Sequence, residues 1–356
     1  MANFEPLSQE YAAHTKTLAR EKFSGLAAKI VELHKVLGKD GPVAAHASGL
    51  DYLRKHMLKP NEADQILQFA GFDATSTAAP TETVVKKAAA LKFMRHLYMV
   101  TLKGNQQVWV LATPKSYATW PQSELLKVRS IAGQVKTKLN DVDEQFKQDT
   151  RQKLGEAMIV ALAWVEKAKL TLSQAKSDPA AMAKVKRWFS DGSTSDKALS
   201  KTISKLQSGF KKIAATISGH KVMITEMPSL RSDPNQDYTE AFVMNLSKKP
   251  ERPRVIYIEK ALLGNYDVSV LHDMKSNWAR VLVHECSHSD CGTQDHLYAF
   301  KGIQPGGNIT AAEAAENADS WAFFAADAAG ALTPNDLTRA LGGTGGTLAK
   351  LAPNWN

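Results

Sequence analysis

Apolar residues recur at helical spacing through much of the chain. Leu18, Phe23, Leu26, Ile30 and Leu33 predict one or two helices over 6–38. A shorter helix is predicted after Pro60, with Gly71 as its stop. Residues 72–83, rich in Thr, Ala and Pro, read as a linker. Apolar runs at 97–102 and 107–112 predict a β-hairpin turning at Gly104 and Asn105. Helical periodicity returns over 123–172, then over 179–189 and 197–217, the last two separated by a Ser, Gly and Asp-rich stretch at 190–195. Residues 222–226 and 254–258 are apolar over strand length. Further on, 277–288 predicts a helix with Trp278, Val281 and Leu282 on its apolar side. Thr310 and Glu313 form a capping box that opens a helix running to Ala329. Thr333-Pro334 opens another, closed by Gly342-Gly343. The pattern is that of a mainly helical α+β protein. A boundary is expected near 130–155, between an N-terminal region and a C-terminal domain.

The chain has 356 residues, of which 44% are hydrophobic and 23% charged, enough apolar material for a core and a length that suits two domains. No apolar run approaches the roughly 20 residues of a membrane helix, so no membrane span is expected. The N-terminus lacks a basic patch followed by an apolar stretch. This predicts synthesis in the cytoplasm without a signal peptide, any export using a leaderless route. Two cysteines exclude a multi-disulfide scaffold. The net charge of +9 is unevenly spread: residues 1–150 carry +5, 151–260 carry +9 and 261–356 carry −5. The basic excess reads as a solvated face rather than a nucleic-acid surface, because aromatic residues do not interleave with it. The acidic C-terminal third would favour a basic substrate.

His284-Glu285-Cys286-Ser287-His288 is an HExxH motif. Residues four apart share a helix face, so both imidazoles can reach one ion. Zinc takes imidazole nitrogens, and the glutamate beside the first histidine can accept a proton from water. The third ligand sorts such sites. The HExxHxxGxxH arrangement is absent, since the glycine, Gly292, comes one residue late and Gln294 fills the histidine slot. A glutamate from a second helix, Glu313 or Glu316, would give a thermolysin-like site, although the capping box already employs Glu313. Asp295, brought back by a turn at Gly292, is the other choice, with His296 as its neighbouring competitor.

His284 to His288 followed by Gly292-Thr-Gln-Asp295-His-Leu-Tyr298 resembles the HExxH plus GTxDxxY pattern of the aspzincins, the deuterolysin and peptidyl-Lys metalloendopeptidase family. Asn317-Ala-Asp319-Ser-Trp321, the strand around Tyr257 and the pair Trp188-Phe189 are weaker echoes, and together they cover about 150–330. The resemblance implies a zincin-like metallopeptidase domain over 131–356 with a small antiparallel sheet. Residues 1–130 precede it as a mostly helical accessory region containing the hairpin. It also implies one Zn2+ per chain held by His284, His288 and Asp295, and a protein or peptide substrate. Glu285 would be general base, Tyr298 an oxyanion donor and Tyr257 a further catalytic tyrosine. Asp319 would contact the residue after the cut. A second acid that lysine-specific members carry is replaced here by Ala322, and the usual Tyr-Gly is Tyr298-Ala299. Strict lysine specificity is therefore not expected, and a leaderless bacterial toxin or effector is the expected setting. A secretion-machinery or inhibitor partner is not identified by these residues.

Two other classes compete. A catalytically silent zinc site could serve a binding or delivery module, but Glu285 and Tyr298 would then have no reason to be present. A nucleic-acid hydrolase would call for a second metal and clustered carboxylates. Cys286 and Cys291 read as small hydrophobes, His272 as structural, and Trp188, Phe189, Trp321, Phe323 and Phe324 as core.

Overall fold

The computed structural model describes residues 5–102, 106–234, 238–246, 249–264, 266–267, 271, 273–344, 349–350 and 355. The predicted turn at Gly104-Asn105 and His272 lie outside these. The chain divides into two units: 1–152 with 220–233 and 251–257, and 153–219 with 234–250 and 258–356. It is mainly helical, with 15 α-helices among the described residues. No described helix is long and apolar enough to cross a membrane.

In the first unit, Leu97–Leu102 and Gln106–Leu111 pair antiparallel, Leu97 facing Leu111. The sheet as a whole is mixed rather than antiparallel, which corrects the expectation. Trp109 and Val110 pair in parallel with Met223 and Ile224, and Val222–Thr225 pairs in parallel with 254–257. A long helical connection separates Gln106–Leu111 from Val222–Thr225, and a 3-10 turn with short strands separates Val222–Thr225 from 254–257. Both are long enough for a parallel crossover, and Val222–Thr225 is buried at every position, as such a strand requires. Parallel pairing draws 222–225 and 254–257 into the unit that holds the hairpin.

The helix Glu82–His96 has no counterpart in the apolar pattern. Val85, the run Ala88 to Leu91, Phe93 and Met94 are all fully buried, so the helix is enclosed and shows no polar stripe to read. Thr81 caps it, accepting a hydrogen bond from the Val84 N–H. The ammonium of Lys92, also buried, donates to Glu62 at 3.0 Å and to the carbonyls of Leu139 and Asp141 at 2.7 Å each. Ser48–His56 is a second unheralded helix, and the periodic stretch 123–172 is broken into Pro121–Lys127, Ala132–Asn140 and Gln148–Gln174.

His96 closes the long buried helix. Its Nδ1 lies 2.6 Å from Glu144, while its buried Nε2 has no partner. A second ring proton would have no acceptor, and burial pushes the imidazole down to about 4. The unfolded chain takes up that proton near pH 6.5. Between pH 6.5 and 4 the unfolded form therefore binds more protons, and stability falls as pH falls. The expected loss is about 3 kcal/mol at most by pH 4. Thermal melts across this range should show the decline, and His96→Gln should flatten it; an unchanged slope would assign it to other groups.

The second unit packs Pro179–Phe189, Asp196–Ser218, Met274–Cys291 and Ala318–Ala328 around an aromatic core. Trp188 stacks on Phe323 at 6.0 Å, Phe189 meets Phe324 edge-on at 5.3 Å, and Phe210 lies 5.1 Å from Trp321. These residues are core, as expected. The Trp188 indole N–H donates to Asp327 at 2.9 Å, so its one polar atom is satisfied. Helices approach closely at Gly209, where an added Cβ would lie 2.3 Å from the Trp321 ring. The helix predicted from Thr310 to Ala329 is two, Ala311–Ala314 and Ala318–Ala328. The alanine run hides the interruption, and its cause lies at the site.

Candidate active site

Met274–Cys291 is the helix of the HExxH motif. Asp273 caps it, accepting from Ser276 N–H at 2.7 Å, and Gly292 ends it in the left-handed region at φ 68°. Trp278, Val281 and Leu282 are buried, as the pattern required, and so are Ala279 and Val283. The face that carries Val281, His284, Glu285 and His288 lines a pocket.

The loop after Gly292 is fixed to the second helix pair. Gln294 N–H donates to Glu316 O at 2.8 Å and Ala318 N–H to Gln294 O at 3.0 Å, a short strand-like bridge that breaks the helix at 315–317. Asn317 adds two bonds, accepting from Leu297 N–H at 3.1 Å and donating to Leu297 O at 2.9 Å. Thr293 and Ser287 hydroxyls meet at 2.7 Å. The loop is thereby held with Asp295 over the two histidines.

His284 Nε2 and His288 Nε2 are 3.0 Å apart, and Asp295 Oδ1 lies 3.0 Å from the first and 3.2 Å from the second. The other nitrogens are engaged behind. His288 Nδ1 sits 2.7 Å from the Thr293 carbonyl, and His284 Nδ1 sits 2.7 Å from Asp319 Oδ1. A carbonyl only accepts, so His288 carries its proton on Nδ1 and turns a lone pair into the pocket. Asp319 imposes the same tautomer on His284 in the metal-bound form. Two nitrogen lone pairs and a carboxylate oxygen then converge on one point, an N/O donor set suited to zinc. In the protein by itself, burial opposes a charged His284, but Asp295 and Asp319 outweigh it and push the imidazole up to about 10. Burial likewise acts to raise Asp295, yet its two imidazole neighbours hold it far below the carboxylate range.

Glu285 is buried, with Oε1 4.0 Å from His284 Nε2 and Oε2 without a partner. Burial raises its carboxyl. Tyr298 stands at the rim, 41% exposed, its ring parallel to His284 at 6.3 Å and to Phe300 at 5.9 Å. Asp319 is buried beneath the centre. Beyond His284, its Oδ1 accepts from Arg280 at 3.2 Å and its Oδ2 from Ala299 N–H at 2.8 Å. Burial raises and His284 lowers this carboxyl, and the net shift is down.

Tyr257 is not among the gathered residues. It lies in the first unit, where its buried hydroxyl accepts from Leu7 N–H at 2.9 Å and donates to Glu251 at 2.8 Å. Glu313 is occupied in its capping box, and Glu316 pairs with Lys205 at 3.0 Å. Neither they nor His296 joins the donor group. Cys286 and Cys291 are not joined in a disulfide, and the first is buried. Arg280 and Glu240 were not legible from the sequence, and Asn317 only as part of the Asn317-Ala-Asp319 echo, without its bonds to Leu297. Arg280 precedes His284 by one turn, and that offset on one helix face is the only signal it offered.

A buried HExxH helix with a loop carboxylate closing the donor set defines a metallopeptidase centre of the zincin class. Residues 174–326 match the family model of the aspzincins, described as lysine-specific metallo-endopeptidase, and this stretch is an aspzincin domain. The match implies zinc, protein substrates and metalloendopeptidase activity. No curated protein matches the chain.

Proposed function

We propose that the chain is a zinc-dependent endopeptidase whose reaction is carried by Glu285, Tyr298 and the His284–His288–Asp295 group. These three ligands would hold one ion per chain. Zinc, when bound, supplies a Lewis acid that acidifies water and polarises the scissile carbonyl. Glu285 accepts at Oε2 the proton that the attacking water gives up, then delivers it to the departing amine nitrogen. Tyr298, at the pocket rim, donates its hydroxyl proton in a hydrogen bond to the developing oxyanion. Asp319 and the Thr293 carbonyl orient the imidazoles and keep their Nε2 atoms deprotonated. The observation that carries this reading is the unpartnered, buried Oε2 of Glu285 beside three converging lone pairs. A buried acceptor without a donor costs about 1–3 kcal/mol in a folded chain, so its position calls for a role.

The test is cleavage of a mixed peptide pool, with cut sites read by mass spectrometry, before and after chelation and zinc restoration. Cuts should vanish on chelation and return with zinc. Cleavage that persists in metal-free protein would overturn the assignment.

A further inference from the structure

The pocket is rich in carboxylates, but the two that stand outside the reacting group already have donors on their oxygens. Four line it: Glu240, Glu285, Asp295 and Asp319. Asp295 belongs to the donor group and Glu285 is the base. The other two converge on Arg280, whose side chain is only 3% exposed. The guanidinium donates through NH1 to Asp319 at 3.2 Å, through NH2 to Glu240, and through Nε to Asn277 Oδ1 at 3.0 Å. Glu240 Oε1 accepts from Asn277 Nδ2 at 2.7 Å, and Asp319 Oδ2 from Ala299 N–H at 2.8 Å. All four oxygens of the pair are occupied. The remaining wall is largely apolar, with Phe242, Val243, Val281 and Phe300.

We infer that Arg280 determines specificity: its own guanidinium fills the place a substrate cation would take between Glu240 and Asp319. The enzyme therefore does not select lysine and admits neutral, apolar side chains beside the cut. A substrate ammonium entering this pocket would lose its hydration and meet an internal cation instead of an unoccupied oxygen. An apolar side chain loses nothing of that kind and gains contact with the aromatic wall.

The inference rests on the peptidase reading, and its test separates the two. Zinc-loaded full-length protein is given peptides with a fixed cut context, in which the flanking residue is Lys, Arg, Leu, Met or Phe. The readout is the ratio of kcat/KM for Lys to that for Leu. The wild type should give a ratio at or below one. In Arg280→Met/Glu240→Gln, Asp319 is left without its guanidinium partner, and the ratio should rise by about tenfold or more. Arg280→Lys, which keeps a cation in place, should leave it low. A structural role alone would lower both rates together, and an unchanged ratio in a folded double variant would overturn the inference. A wild-type ratio of ten or more would do so without any variant, and decides the matter if the double variant does not fold. A wild type that cuts nothing while holding zinc would refute the peptidase reading, and this inference with it.

Discussion

Replacing Glu285 by Gln is expected to lower kcat on the order of 10³-fold while zinc stays bound. Gln matches Glu in volume and keeps one carbonyl oxygen, so the buried site should retain its packing. What it lacks is a site for the proton that water must shed. The position is one residue from His284, and its Oε2 has no other partner in the structure. The substitution thus removes a base without breaking a bond. Metal content by mass spectrometry should remain at one zinc per chain, and the melting temperature should stay close to wild type. A Gln variant that keeps more than a tenth of the activity would mean that another group takes the proton.

Asp319→Ala is expected to be damaging in two measurable ways. The first is metal affinity. His284 would lose the acceptor that fixes its ring and tautomer, and such changes weaken metal binding by about 10–100-fold. Competition with a chromophoric chelator reads this directly. The second is stability, because Arg280 would stay buried with Glu240 as its one remaining acid of the pair. Breaking a buried ion pair from one side costs about 3–5 kcal/mol, and melts of the metal-free protein isolate that loss. Asp319→Asn, which preserves shape, should be milder on both counts. Wild-type zinc affinity in the alanine variant would show that the carboxylate does not orient His284.

The donor group was the part of the site most open to sequence reading. Imidazoles that share an ion must sit one turn apart on a helix, and that requirement writes a local spacing. Asp295 follows within a short turn, so it too leaves a local mark. Arg280, Glu240 and Asp319 are tied across 39 and 40 positions, and ion pairs at such separation have no period. Asn317 stood in the sequence only as part of a motif echo within a long alanine-rich helix. Its role follows from a bridge to Gln294, which is tertiary. In the fold, helices with an exposed polar face mostly announced themselves, Ser48–His56 excepted, whereas Glu82–His96, enclosed from Lys87 to Met94, did not. The strands 222–225 and 254–257 were visible as segments, but their parallel direction depends on partners far along the chain.

The discontinuous make-up of the first unit bears on how the protein can be dissected genetically. Deleting the N-terminal 130 residues would remove Gln106–Leu111 and leave Val222–Thr225 with a bare edge. Met223 and Ile224, now fully buried, would face water along unpaired backbone, a template for sticking to other chains. A truncated protein that aggregates would therefore say nothing about whether the N-terminal region inhibits or delivers the peptidase. Gene fusions and domain swaps at that point inherit the same defect. The informative alleles are point substitutions, or exchanges that transplant 220–233 and 251–257 together with 1–152.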